Sequence, residues 1–311
     1  MQLASAPESV AQPRARARLA IRSQGLAGAL LSAPAILYFA VFWVFPFGLA
    51  VYYSFTNYQL FTAPRWIGGA NYSQLFTADP EFVHSLAITG LFVVVTVVPT
   101  TVLALLIAAP ISRGGPVFGV YRALLVIPAV MPLVAASVVW IVIYSPGGLA
   151  NTLLSFIGAP QVAWLTGTTS AYWGLVIMTI WKYLGFYFLI ILAGMQTIPR
   201  NLYHAAALDG ARSLRTFFRI TLPLTRRTLA FVIVIGIIAA AQSFVPAYIL
   251  TQGGPANATE LLPLYLYKEA FSFTNMGLAS AISVILTVVL FAVAFVQYRM
   301  IQGRGQRAAR T

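Results

Sequence analysis

Residues 198–225 read IPRNLYHAAALDGARSLRTFFRITLPLT, a connection far longer than two neighbouring helices need. Pro199 ends the helix before it, and Asn201 is placed to cap a short helix over Leu202–Leu208. Asp209 and Gly210 then make a tight turn. From Ser213 a second stretch carries Leu214, Phe217, Phe218 and Thr221 on one face and Arg212, Arg215 and Arg219 on another, and it stops at Pro223. A helix of that kind is expected to lie along a headgroup boundary with its aromatics dipped in. The shorter helix before it is left to project toward a partner.

Outward from this segment the chain turns apolar. Its 311 residues are 60% hydrophobic and 8% charged, with a mean hydropathy of +0.85, which excludes an ordinary soluble globule. Six runs are long enough to cross about 30 Å of hydrocarbon: Leu30–Val51, Leu86–Ala109, Ala123–Ile143, Ala171–Met195, Leu229–Leu250 and Leu278–Val296. Only the fourth holds a charge, Lys182. Pro34, Pro46, Pro99, Pro128, Pro132 and Pro246 predict kinked helices packed in a bundle, where neighbours satisfy the freed carbonyls. Basic residues precede the first run as they do in a secretory signal, but the run is too long for a signal core and ends at no small-x-small site, so it reads as a retained span. The expectation is an all-α polytopic membrane protein of six transmembrane helices. Residues 1–24 form a flexible basic cytoplasmic tail, 25–300 the transmembrane domain with its loop at 198–225, and 301–311 a second cytoplasmic tail.

The charges orient this bundle. Sixteen of the nineteen basic residues fall in the two tails and the even-numbered connections, among them Arg14, Arg16, Arg18, Arg22, Arg113, Arg122 and the six arginines between 200 and 227. The opposite loops hold only Arg65 and Lys268. The positive-inside rule puts both termini and residues 198–225 in the cytoplasm. A net charge of +13 distributed in this way faces anionic lipid and a cytoplasmic partner, not nucleic acid.

Several chemistries are excluded. There is no cysteine, which removes disulfides, thiol nucleophiles and cysteine-ligated metals, and His84 and His204 leave little for any other metal site. All six carboxylates, Glu8, Asp79, Glu81, Asp209, Glu260 and Glu269, lie outside the spans, which weakens a stand-alone proton-coupled carrier. No phosphate-cradling G-x-x-x-x-G-K-[ST] loop and no zinc-protease helix is present, so the chain is expected to hydrolyse nothing by itself.

Leu-Tyr-x-Ala-Ala-x-x-Asp-Gly-Ala at 202–211, followed by Phe-x-x-Ile-Thr-Leu-Pro, resembles the Glu-Ala-Ala loop of the permease subunits of bacterial ATP-binding-cassette importers. APAILYFAVFWVFPFGLAVYYSFTNY at 33–58 and ILTQGGPANATELLPLYLYKEAFSFTNMGLASAISVIL at 249–286 are similar to the maltose and glycerol-3-phosphate permeases of the carbohydrate-uptake branch. The resemblance implies the type I ABC importer permease fold in the inner membrane. It implies a second permease subunit in a heterodimer, two ATPase subunits carrying ATP and Mg, an extracytoplasmic solute-binding protein, and a sugar or glycerol-phosphate substrate, with no cofactor on this chain. It also implies that Leu202, Tyr203, His204, Ala205, Ala206, Asp209, Gly210 and Ala211 couple to the ATPase. The alanines are small enough for close approach and favour helix, and Gly210 permits the turn. Asp209 either caps the next helix or contacts the ATPase, and Leu202 and Tyr203 either couple or pack on the preceding span. The family's glutamate is His204 here, which removes an ion pair at that position.

A solute path needs polar groups in these apolar helices. Lys182, between Trp181 and Tyr183, either faces that path or snorkels to an interface. Gln242 and Ser243 precede Pro246 and either line the path or bridge helices, and Tyr248 and the aromatics beside Lys182 suit stacking on sugar rings. Ser137 and Trp140 are further candidates. The loop holding Gly253, Gly254 and Pro255 is expected to face the binding protein, or else is ordinary turn punctuation.

Overall fold

A computed structural model describes residues 30–112 and 118–307. The basic tail at 1–24 and Arg113 lie outside them. Residues up to Tyr52 form one unit and the chain from Tyr53 another. The first unit contains most of α1 (Leu30–Ser54), with a π-helical turn at Ala40–Val44, and its side chains are exposed from Leu30 through Gly48.

The second unit is built from α2 (Ala70–Thr77), α3 (Pro80–Ile111), α4 (Phe118–Val130), α5 (Leu133–Ile143), α6 (Leu149–Phe156), α7 (Thr168–Gln196), α8 (Arg200–Leu208), α9 (Ser213–Thr216), α10 (Leu222–Ala241), α11 (Val245–Leu250), α12 (Leu262–Tyr267) and α13 (Met276–Arg307). Among the described residues five helices, counting α9 to α11 as one interrupted span, are long and apolar enough to cross a membrane, and the bent pair α4–α5 supplies a sixth. This matches the six expected runs, with two boundary corrections. Helix α3 begins six residues before its apolar run because Asp79 accepts a hydrogen bond from the Phe82 amide at 2.9 Å and Pro80 sits where no amide is needed. Helix α13 continues to Arg307, into what the sequence assigned to the tail.

The centre of the bundle is α3, α7 and α10. Phe92 and Val97 of α3 share a buried cluster with Tyr172 to Val176 of α7, while Ala104 to Ile111 share another with Tyr187 to Met195. Helices α3 and α7 therefore run parallel. Val232 of α10 belongs to the second cluster and Ala240 to the first, so α10 runs the opposite way. Outward-facing Val94, Val98, Val102 and Leu106 of α3 are exposed, as residues facing hydrocarbon would be. This parallel-and-opposed arrangement places Arg122, Arg200 and the arginines of 212–227 at one end, and Asp79, Glu81, Glu260 and Glu269 at the other.

Two spans are interrupted, more severely than their prolines suggest. Helices α4 and α5 meet at 102°. The second interruption lies at residues 242–244, ahead of Pro246, which sits in the first turn of α11 where its missing amide costs nothing. The outer halves, α5 and α11, pack together around Ala136, Trp140, Tyr144, Met178 and Leu250.

Candidate functional site

Three sets of residues singled out by the sequence occupy three different levels of the bundle. At the basic end, α8 opens after Pro199, with no side-chain cap from Asn201. Proline supplies the stop and fixes the extended backbone at the entry, so the asparagine is not needed. At its far end Gly210 adopts φ +69°. The Ala211 amide bonds the Ala206 carbonyl at 2.9 Å and the Gly210 amide bonds Ala207 at 3.1 Å, a Schellman closure that requires a left-handed residue at Gly210. Asp209 is therefore the C-terminal cap residue of α8. The next helix starts after Arg212, whose own side chain makes no cap bond, while the backbone places Asp209 at the end of α8.

Pro223 does not stop the helix that follows. Helix α9 passes through a π-helical turn, Phe217–Thr221, and runs on into α10, with the proline in the first turn of α10, where a missing amide is tolerated. The face it buries is Thr216, Thr221 and Thr225, whereas Leu214 and Phe218 are exposed. Each threonine returns its hydroxyl to the carbonyl four residues back or to a neighbour, which lets a polar residue sit in the packed face. The Tyr203 hydroxyl of α8 hydrogen-bonds the Thr221 hydroxyl at 3.1 Å. Ala206 is buried, while Leu202, His204, Ala205, Ala207 and Leu208 are exposed, Leu208 at 89%. Ala211 is half-buried.

At mid-bundle, Lys182 is buried and its ammonium donates to the carbonyls of Pro128 at 2.7 Å, Ala129 at 3.0 Å and Met131 at 2.6 Å. All three N–H groups are thereby used. The reason is local to the break. In an unbroken helix the carbonyl of Pro128 would take the amide of residue 132, but that residue is Pro132 and has none. The carbonyl of Ala129 would take the amide of Leu133, which instead opens α5 after the bend. Lysine replaces the missing donors, and the C-terminal end of the α4 dipole stabilises its charge. Three orphaned buried carbonyls would otherwise cost about 1–3 kcal/mol each. One turn further, a Cβ on Gly185 would lie 1.9 Å from the Leu125 carbonyl oxygen, so only glycine lets α4 come close enough for Lys182 to reach.

Around this clasp the expected aromatics gather. Trp181 meets Trp140 edge-on at 5.5 Å, Tyr144 packs on both Trp140 and Trp164, and Tyr183 lies 6.4 Å from Tyr187 in the cluster that includes Leu125. The Trp140 Nε1 is buried with no hydrogen-bond partner, whereas Ser137 bonds its own helix at Leu133. Gln242 is exposed at the second break and Ser243 is buried beside it. Tyr248, 39% exposed, stacks on Phe244 at 5.3 Å and meets Tyr267 at 5.5 Å. Lys182 and Gln242 thus mark the two interruptions. Periodicity could not have paired Lys182 with its break, since it reaches a carbonyl 54 residues away.

At the acidic end the Thr251–Glu260 loop folds on itself. Gly253 is buried with φ +89°, beneath the Lys268–Glu260 ion pair of 2.9 Å, and the hydroxyls of Thr251 and Thr259 meet at 2.6 Å. Gly254 and Pro255 are half-buried, and the exposed residues of this turn are Gln252 and Ala256. Next to it the Tyr265 hydroxyl donates to Asp79, which raises the phenol's pKa on top of its burial. Burial, together with the nearby Asp79 and Glu81 charges, raises the pKa of Glu269, against which the Asn275 amide works by donating to it at 3.0 Å.

Residues 75–304 match the family model described as binding-protein-dependent transport system inner membrane component. The chain is 36% identical to the probable ABC transporter permease protein YesP of Bacillus subtilis, over 90% of this chain and 91% of that one. It is 34% identical to the sulfoquinovosyl glycerol transport system permease protein SmoG of Agrobacterium fabrum, over 89% and 91%. In fold it is similar to a chain of a bacterial alginate ABC transporter solved with a pentasaccharide-bound periplasmic protein, at a TM-score of 0.77 and 24% identity over 90% of this chain and 95% of that one. By the family match, and by relatives named ABC transporter permeases, this chain belongs to the family of binding-protein-dependent transport system inner membrane components.

Proposed function

We propose that this chain is one of two permeases of a sugar importer and that separate ATPase subunits drive it through α8. The observation that carries the reading is the mounting of α8. Its outer face of His204, Ala205, Ala207 and Leu208 is open, while its inner face is tied by Tyr203 to Thr221, on the segment that continues without a loop into α10. A displacement of α8 is thereby delivered to the span whose far end is broken at 242–244. The basic end, with both termini, faces the cytoplasm, and ATP and Mg belong to the ATPases.

Gln242, Ser243, Tyr248, Trp181 and Tyr183 are the residues proposed to border the solute path, with Lys182 holding the broken span in place. The buried Trp140 Nε1 adds an unused donor to this region. The solute-binding protein meets the opposite end at Gln252 and Ala256. A sugar is favoured by the aromatic surface around the two breaks and by the sulfoquinovosyl glycerol relative.

The test is reconstitution. With the second permease, the ATPases and the binding protein in liposomes, uptake of the sugar that thermally stabilises the binding protein should require ATP. Uptake by this chain alone, driven by an ion gradient, would overturn the proposal, and a binding protein stabilised only by glycerol phosphates would overturn the sugar.

A further inference from the structure

Beside α8, and reached by its exposed His204, lies a cavity of about 530 Å³. It is bounded by the last turn of α3, the start of α4, the end of α7 and the π-helical turn. Arg122, Arg200 and His204 line it together with Ser112, Gln196 and Tyr203, and no carboxylate does. Neither arginine has an ion-pair partner among the described residues. Arg122 is half-buried. Its Nη2 donates to the Ile111 carbonyl at 3.2 Å, and its Nε is buried with no acceptor. A guanidinium drawn partly out of water with no counter-ion is unfavourable unless an anion fills the space beside its accessible nitrogens.

We infer that this cavity binds a phosphate group, gripped between Arg122 of α4 and Arg200 and His204 of α8. Two guanidinium groups and an imidazole converging from different elements suit a tetrahedral oxyanion, which guanidinium binds in bidentate fashion. The volume admits a free phosphate or the phosphoglycerol head of an anionic lipid. Once bound, the group bridges the inner half of the broken span to the coupling helix, two elements with no ion pair between them among the described residues. Occupancy would stiffen the mounting of α8 and set how far its displacement is shared with α4. The inference is independent of which solute is carried.

The full-length chain, purified with its partner subunits in neutral detergent, is titrated with inorganic phosphate while the unfolding midpoint is followed. In parallel it is offered phosphatidylglycerol and phosphatidylcholine in mixed micelles, and retained lipid is read by native mass spectrometry. Saturable stabilisation by phosphate identifies a soluble ligand, whereas selective retention of phosphatidylglycerol with phosphate silent identifies the lipid head. In either case Arg122→Gln should weaken binding roughly tenfold, as expected for loss of a charge-assisted hydrogen bond. His204→Glu, at an exposed position that does not threaten folding, should weaken it at least as much by placing a carboxylate in the cavity, and it carries the test alone if Arg122→Gln does not fold. Binding of neither ligand, or binding unchanged in the variants, overturns the inference.

Discussion

The two interrupted spans solve the same problem in opposite ways. At the α4–α5 junction the carbonyls stripped of their amides by Pro132 and the bend are closed by one buried ammonium that spends all its donors on them. At the α10–α11 junction no side chain donates to the interruption among the described residues, the Gln242 side chain is exposed, and α11 begins after Phe244 without a side-chain cap. A sealed break is a fixed corner, and an open one is free to change its angle. The open break lies in the very span that continues from the coupling segment. On the proposed coupling route, compliance is thereby concentrated where motion enters and removed from the neighbouring span.

The harshest way to break this contrast is to unseal the sealed corner. Lys182→Met should lower stability in detergent by on the order of 3 kcal/mol and abolish uptake, because the orphaned carbonyls have no water to turn to. Restoring an amide with Pro132→Ala in that background should recover part of the loss, a non-additivity that a double-mutant cycle on unfolding midpoints reads directly. Gly185→Ala attacks the same corner by distance. Its methyl would sit on the Leu125 carbonyl and push α4 from the ammonium, at about 1–3 kcal/mol by the same measurement.

On the open side the effects fall on coupling more than on stability. Gly210→Ala forces a left-handed backbone on a residue with a Cβ, at about 1–2 kcal/mol, and ATP-driven uptake should fall further than the unfolding midpoint implies. The loop that anchors the far side of α11 responds to pH. Glu269 has its pKa raised by burial, so the folded state binds the proton more tightly than the unfolded chain does, and stability falls as pH rises from the ordinary glutamate range through the raised value. Hydrogen exchange across 251–275 should accelerate over that window, and Glu269→Gln should flatten the response. The smallest stability effect is expected for Gln242→Ala, within about 0.5 kcal/mol, yet it should alter uptake kinetics. A large loss of stability there would mean that this break is sealed as well.

Much of this was legible in the residues. Six apolar runs and the alternation of arginines gave the spans, since length and charge are read without knowing any contact. The Ala205–Ala206–Ala207 run and Gly210 gave α8 and its left-handed end. The rest depended on what meets what. Asn201 and Pro223 carry strong local preferences for a cap and a stop, yet Pro199 opens α8 and the π-helical turn carries the helix past Pro223, while the Schellman closure makes Asp209 the end of α8. Amphipathic spacing assigns Leu214 and Phe218 to the headgroup boundary, and they are exposed, but it does not pick out Thr216, Thr221 and Thr225 as the face that packs. The sequence leaves Lys182 open between facing a solute path and snorkelling to an interface, because the carbonyls that take its donors lie on a helix broken half a hundred residues earlier. The outer glycines are open in the sequence between a docking surface and turn punctuation, and the structure adds that Gly253 lies beneath the Lys268–Glu260 ion pair.

The absence of cysteine from the chain makes paired labels unambiguous, and they test the contrast between the two breaks directly. Spin labels at Phe231 and Tyr248 span the open break, and labels at Leu124 and Val138 span the sealed one, all at exposed positions. In the assembled transporter, the first distance should change between nucleotide-free and ATP-trapped states while the second stays fixed. A sealed-break distance that shifts while the open-break distance holds, or two distances that never move, would contradict the account.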